Sequence, residues 1–153
     1  MATYKTKLLC DGSDGVYEDC DSGKKTYYTA ARFTVLVEVN CAPEDEVLTF
    51  PSHDDGKPIT HIGYSQLYAP SREEWHDWHH CRGGVRYPAV YMLSDASLGI
   101  PANIKKIIIP ETVQKISPRA FAGADSAVLE VHPDNPYLTV EDNKIVKKAQ
   151  PTL

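Results

Sequence analysis

The sequence predicts a β-rich α+β fold, built as a short, irregular solenoid of repeats with an N-terminal β cap and an inserted helical or loop excursion. Three observations lead to this prediction. An Ile-Pro pattern recurs after nine residues in IPANIKKIIIPETVQKI (100–116). Apolar, strand-like pairs recur 22 positions apart, at residues 107–109 and 129–131. Residues 33–39 alternate with the two-residue period of a half-buried strand.

The chain of 153 residues is long enough to bury a core without disulfides and suits a single domain. Within that domain we expect a β cap over residues 1–46 and repeats over 47–148. An insertion at about 64–99 interrupts the repeats, and 149–153 form a tail.

The formal net charge of −5 argues against a nucleic-acid partner, because such partners are bound by clustered Lys and Arg. The first ten residues lack the apolar segment of a secretory signal. No apolar run reaches the roughly 18 residues that span a bilayer. We therefore expect a soluble cytoplasmic protein that binds no membrane, with a surface or secreted location left open if the chain is trimmed.

The apolar pattern around residue 110 indicates a repeat. Pro110 ends an extended segment, since proline cannot donate a ladder hydrogen bond, and Val113 and Ile116 then follow at a three-residue spacing. Upstream, Ile59 and Ile62 have the same spacing after the strand-like residues 48–50. Strands, turns and short coils that recur with a period in the low twenties are typical of solenoids.

Three segments, VLTFPSHDDGKPITHIG (47–63), IKKIIIPETVQKISPRAFAGA (104–124) and VLEVHPDNPYLTVEDNKIVKK (128–148), resemble the BspA-type leucine-rich repeat. The turn at 142–143 resembles the terminal hairpin of that family, with Asn143 in place of glycine. The resemblance implies a leucine-rich-repeat solenoid and a role in binding or adhesion. Residues 64–99 depart from the pattern and contain a degenerate repeat, an insertion, or both.

The segment REEWHDWHHCRGG (72–84) is predicted to form an amphipathic helix, with Ser71 as its N-cap and glycines as its stop. Helical spacing would place one histidine above another, a usable geometry for a divalent metal. The favoured interpretation is packing of the two tryptophans on the solenoid. The alternative is a zinc-type metal site, or a metal-dependent enzyme, whose ligands would be His76, His79, His80 and Cys81.

Tyrosine and tryptophan are concentrated in and beside the predicted insertion. These side chains offer large contact areas at low entropic cost and are enriched at binding hot spots. A role in filling the core is the alternative for most of them. The predicted binding residues are Tyr64, Tyr68, Trp75, Trp78, Tyr87 and Tyr91.

These observations predict a non-enzymatic protein–protein recognition module that carries no catalytic residues and needs no cofactor. Its partner is expected to be another protein. The sequence contains no Gly-x-Ser-x-Gly elbow and no phosphate-binding glycine loop, two signatures of enzymatic sites. The four cysteines are expected to be free thiols, because they are spread through a chain of this size without a secretory signal.

Overall fold

The computed structural model describes residues 2–19, 21–69, 72–78 and 81–148, and it describes the backbone alone at 69, 72–78 and 81–83. Strands, turns and loops account for all of these residues, and they include no helix, hence none that could cross a membrane. The strands are β1 (Thr3–Glu18), β2 (Lys25–Tyr28), β3 (Ala31–Asn40), β4 (Val47–Thr49), β5 (His53–Asp54), β6 (Lys57–Ile62), β7 (Tyr64–Ala69), β8 (Arg72–Trp78), β9 (Cys81–Asp95), β10 (Lys106–Ile109), β11 (Lys115–Ile116), β12 (Val128–Val131), β13 (Leu138–Glu141) and β14 (Lys144–Lys147).

The predicted helix over residues 72–84 is wrong, because this segment forms β8 and the start of β9. The two strands pair antiparallel, with Trp75 opposite Gly84 and Trp78 opposite Cys81. The glycines predicted to stop a helix are therefore members of a strand ladder. Inter-strand pairing satisfies the backbone groups here, and tertiary context of this kind routinely overrides helix propensity.

The chain divides into two compact units. Unit 1 comprises Met1–Leu8, Phe33–Ser65 and Asp95–Leu153, and unit 2 comprises Leu9–Arg32 and Gln66–Ser94. Both β1 and β3 contribute residues to each unit. Residues 1–46, predicted to form an N-terminal β cap, contain β1, β2 and β3; β1 and β3 are neighbours in one sheet, and β3 is also paired in parallel with β6.

A parallel sheet in unit 1 contains the residues that the sequence spaces regularly. Its strand order is β12-β10-β4. Ile107 pairs laterally with Leu129 on one side and with Leu48 on the other, and Ile109 pairs with Val131. The spacing of 22 positions is thus one lateral step between parallel strands.

The predicted solenoid is nevertheless wrong: in the part of the chain that the structure describes, no sheet is closed and none forms a solenoid. The parallel sheet holds three strands, and a side chain occupies the edge at which a fourth would add. Leu129 N donates to Asn143 Oδ1 at 2.8 Å, and Asn143 Nδ2 donates to Ala127 O at 2.9 Å. One amide group thereby replaces the backbone of a further strand.

A type I′-like turn delivers this amide. Asp142 and Asn143 have φ values of 50° and 57° and connect β13 to β14, with Glu141 opposite Lys144. Asp and Asn tolerate this left-handed conformation better than most residues, and two-residue hairpin loops require it. The turn predicted at 142–143 is confirmed.

The core of unit 1 consists of aliphatic residues from the strands and from the loops between them. The repeated Ile-Pro pattern contributes to this core, because Ile100, Ile104, Ile107, Ile109 and Val113 are each at most 3% exposed. The repetition therefore reflects the packing of these side chains in the core. Fully buried large residues of the cluster are Leu36, Leu48, Ile59, Ile62, Leu98, Ile104, Ile107, Ile109 and Val113.

A buried asparagine ties the last hairpin to this core. Asn135 is 0% exposed, and its Nδ2 donates to Pro110 O and Val113 O, both at 2.9 Å. Its Oδ1 accepts from Tyr137 N at 2.7 Å and from Leu138 N at 2.8 Å. All the hydrogen-bonding capacity of the side-chain amide is used, so removing it would leave buried backbone groups unpaired.

We expect Asn135→Ala to destabilise the protein by about 3 kcal/mol or more, because an unpaired buried polar group costs ~1–3 kcal/mol and four groups lose their partner. The measurement is urea denaturation followed by circular dichroism. Asn103→Ala is the control: Asn103 Nδ2 donates to Asp45 O at 2.8 Å from an exposed side chain, which water can replace. Equal losses in the two variants would contradict the role given to Asn135.

A close backbone approach in unit 1 requires glycine at position 63. Gly63 has a φ of 83°, its N donates to Leu36 O, and its O accepts from Ala96 N. A Cβ built at Gly63 would lie 2.5 Å from the Cβ of Ala120. Any larger residue therefore has to push apart two buried segments of the core.

Gly63→Ala should destabilise the protein markedly more than Gly56→Ala. Both glycines have positive φ, 83° and 76°, so both variants incur backbone strain of about 1 kcal/mol. Only Gly63 adds a steric clash, since a Cβ at Gly56 meets nothing within 4 Å. We expect an extra loss of about 2 kcal/mol in thermal or urea unfolding at Gly63, and similar losses would show that strain alone selects glycine there.

Unit 2 is built on antiparallel ladders. β1 pairs with β2, with Val16 opposite Tyr27, and it pairs with β9, with Val16 opposite Arg86. Beyond the paired residues of β1 and β9, the side-chain amide of Gln66 hydrogen-bonds to the backbone of both strands. Its Oε1 accepts a hydrogen bond from Cys10 N at 2.6 Å. Its Nε2 donates to Cys10 O and Met92 O, both at 2.9 Å.

Candidate functional site

The structure places the predicted binding residues in different environments. Tyr68 is 74% exposed, and its ring meets that of the half-buried Tyr91 edge to face, with centroids 6.3 Å apart. Tyr87 is half-buried, and its ring lies where a side chain on Gly15 would project. Tyr64, in contrast, is only 4% exposed. Trp75 and Trp78 both lie on β8, where the backbone alone is described.

Tyr64 belongs to the packed interior of unit 1. Its ring lies 5.9 Å from that of His61 in an edge-on arrangement, and Lys115 Nζ lies 5.8 Å from the ring centroid. Burial, and secondarily the carboxylate of Asp95, raise the pKa of Tyr64 to about 12. Both effects disfavour the tyrosinate, so the side chain is neutral through the physiological range.

A hollow of about 380 Å³ in unit 2, here called the tyrosine hollow, was not predicted from the sequence. Tyr27 and Tyr28, which are 72% and 46% exposed, contribute to its wall. Exposed Tyr side chains beside Arg have the composition of binding hot spots. The lining residues are Asp14, Gly15, Val16, Tyr27, Tyr28, Thr29, Arg32, Arg86 and Pro88.

Asp14 fixes one side of the tyrosine hollow. Its Oδ1 accepts a hydrogen bond from Ala30 N at 2.6 Å, and its Oδ2 lies 3.6 Å from Nη2 of Arg32. Ala30 is buried at 4% exposure and belongs to the two-residue connection between β2 and β3. Asp14 therefore holds the connection between β2 and β3 against β1.

A second concavity, of about 810 Å³, lies within unit 1 and is here called the unit 1 groove. Its lining comes from the segment 114–127, from residues 143–147, and from Leu129 and Leu138. The apolar lining includes Ile116 and Phe121, and cationic residues are more numerous in the lining than acidic ones. An 810 Å³ concavity falls within the size range of natural ligand sites.

The predicted metal ligands fall partly outside the described residues, since His79 and His80 are not among them. His76 lies on β8 opposite Gly83, and Cys81 begins β9. The helical spacing on which the metal interpretation depended is absent from this hairpin. Among the residues that the structure describes, no group of three or more His, Cys, Asp or Glu side chains is arranged to hold a metal ion.

Comparisons with protein-family models, curated proteins and solved structures found no match to this chain. The resemblance to leucine-rich repeats therefore stays a prediction drawn from three sequence segments.

Tyr64 should make the protein lose stability at alkaline pH. An unfolded tyrosine ionises near pH 10 and folded Tyr64 near 12, so between these values the unfolded chain has lost a proton that the folded chain retains. Stability therefore falls as the pH rises through this window, by up to about 2–3 kcal/mol. Urea denaturation at several pH values, compared with Tyr64→Phe, measures it, and identical slopes for both proteins would contradict the assignment.

Proposed function

We propose that this protein is a non-enzymatic recognition module that binds another protein through the tyrosine hollow of unit 2. The observation that carries the proposal is the exposure of Tyr27 and Tyr28, at 72% and 46%, beside Arg32 and Arg86 around one concavity. Tyr and Arg are the side chains that contribute most often to binding energy in interfaces.

The chemistry of the tyrosine hollow supports a protein partner. Each tyrosine combines an apolar ring with a hydroxyl group that can donate or accept a hydrogen bond. The guanidinium of Arg32 and the rings beside it can hold a carboxylate, a carbonyl oxygen or another aromatic ring. Val16 and Pro88 add apolar area between these polar groups.

The hollow is also held in shape before a partner arrives. β2 carries both tyrosines and is paired with β1 over four residues, from Gly15 opposite Tyr28 to Glu18 opposite Lys25. Gly15 is buried, and a Cβ there would lie 2.4 Å from Arg86 O. A preformed surface of this kind loses less conformational entropy on binding than a mobile loop.

The test is photo-crosslinking in cells that express the chain, with p-benzoylphenylalanine placed at position 29 on the rim of the hollow. A control protein carries the same probe at position 44, an exposed site in unit 1. We expect a protein adduct at position 29 that is missing at position 44. Mass spectrometry identifies the partner, which is then purified and titrated against the full chain.

The double variant Tyr27→Thr and Tyr28→Thr should weaken the measured affinity by about tenfold or more, because hot-spot tyrosines contribute ~1–2 kcal/mol or more each. Threonine keeps the β propensity of the strand. Tyr137→Thr, at a 45% exposed tyrosine of unit 1, is the matched control and should bind normally. No adduct at position 29, or unchanged affinity in the double variant, would refute the proposal.

A further inference from the structure

The unit 1 groove is lined by five consecutive residues, 143–147, on one side. Side chains of a strand point alternately to opposite faces, so a groove that met only one face of β14 would be lined by every second residue. Contact with all five indicates that the edge of β14 borders the groove. An edge presents backbone N–H and C=O groups as well as side chains.

Two strand edges border this groove without a sheet neighbour on that side. Among the described residues, β14 is paired with β13 alone, in a two-stranded sheet, and β11 is the terminal strand of its sheet, next to β6. β14 is four residues long, about 13 Å. A strand edge of that length can accept a short extended peptide by main-chain hydrogen bonding.

The floor of the groove offers apolar contacts for alternate side chains of such a peptide. Phe121, Leu129 and Ile145 are half-buried and line the groove together with Ile116. Partly exposed apolar groups in a concavity gain from being covered, at about 25 cal/mol per Å² of apolar surface removed from water.

The rim of the groove is positively charged, although the whole chain carries a net charge of −5. Lys115, Arg119, Lys144 and Lys147 line it, and Asp125 is the carboxylate in its lining. Arg119, Lys144 and Lys147 form no ion pair among the described residues, whereas elsewhere in unit 1 Lys106 lies 2.9 Å from Glu130. Unpaired cations around an apolar floor favour an anionic, partly apolar ligand.

We propose that the unit 1 groove binds an extended acidic segment of a partner protein, with alternating carboxylate and apolar side chains, as an added strand on β14. The peptide backbone pairs with the free edge of β14, its apolar side chains meet the floor, and its carboxylates meet the four cations. This proposal does not depend on the tyrosine hollow, which lies in unit 2. Self-pairing of two copies through β14 is disfavoured, because Lys144 and Lys147 would face the same cations of the second copy.

The experiment uses the full chain and a fluorescein-labelled nonapeptide of alternating glutamate and valine, with binding followed by fluorescence anisotropy. Two matched peptides replace every glutamate by lysine, or carry N-methyl groups on alternate backbone nitrogens. We expect saturable binding of the glutamate peptide that weakens with added salt, and binding at least about tenfold weaker for both matched peptides.

The variant Arg119→Glu with Lys147→Glu reverses two exposed charges of the rim, and Lys57→Glu is the control at an exposed lysine outside the groove. We expect the double variant to lose affinity by about tenfold or more and the control to lose less than about twofold. Arg119→Gln with Lys147→Gln, which only neutralises the charges, serves if the reversal impairs folding. The thermal unfolding midpoint of each variant verifies that it is folded.

Several outcomes would overturn the proposal. The first is the absence of saturable binding up to about 1 mM peptide, which corresponds to a binding free energy weaker than about −4 kcal/mol. The second is equal binding of the glutamate peptide and the lysine peptide. Equal binding of the N-methylated peptide would exclude strand addition. Displacement of the peptide by oligothymidylate would indicate a nucleic-acid site, and loss of a dimer in sedimentation equilibrium of the double variant would indicate self-association.

Discussion

The organisation of unit 1 depends on the buried amide of Asn135. This side chain bonds the carbonyls that follow β10 and, with its oxygen, the amides that open β13. The hairpin of β13 and β14 is thereby fixed beside the parallel sheet. Its turn can then bring Asn143 to the edge of β12, and β14 can form one wall of the unit 1 groove. One fully paired polar group thus positions several features that lie distant from it in sequence.

Side-chain amides recur where regular pairing stops. Asn143 replaces a strand at the edge of the parallel sheet, and Gln66 replaces ladder bonds between β1 and β9 in unit 2. A primary amide has the same donor and acceptor groups as a peptide unit, so it can pair with both a backbone N–H and a backbone C=O. At these two places the backbone groups beyond the ladder are paired by a side chain.

The features that could be predicted from the sequence are those with a local period or a local turn signal. The strand over 33–39 lies within β3, and the turn at 142–143 is present. The spacing between residues 107–109 and 129–131 corresponds to lateral pairing. Each of these follows from burial on one face or from allowed backbone angles, which neighbouring residues determine.

The features that could not be predicted depend on contacts between distant segments. Nothing local distinguishes residues 72–78 as a strand, because their partners lie in β9 and a helical pattern fits the same letters. Tyr64 and Tyr27 are both tyrosines in strands, yet pairing and packing bury one and expose the other at 72%. For the same reason, the tyrosine hollow and the unit 1 groove, each assembled from separate segments, had no signature in the sequence.

The amide of Asn143 also covers the edge of β12 and so blocks its pairing with another molecule. Hydrolysis of that amide to a carboxylate would remove the donor to Ala127 O and place negative charge beside it. The edge of β12, where Val128 is 56% exposed, would then be open to a strand of another molecule. Loss of a single nitrogen atom from this hairpin turn would therefore leave the aged protein prone to aggregation.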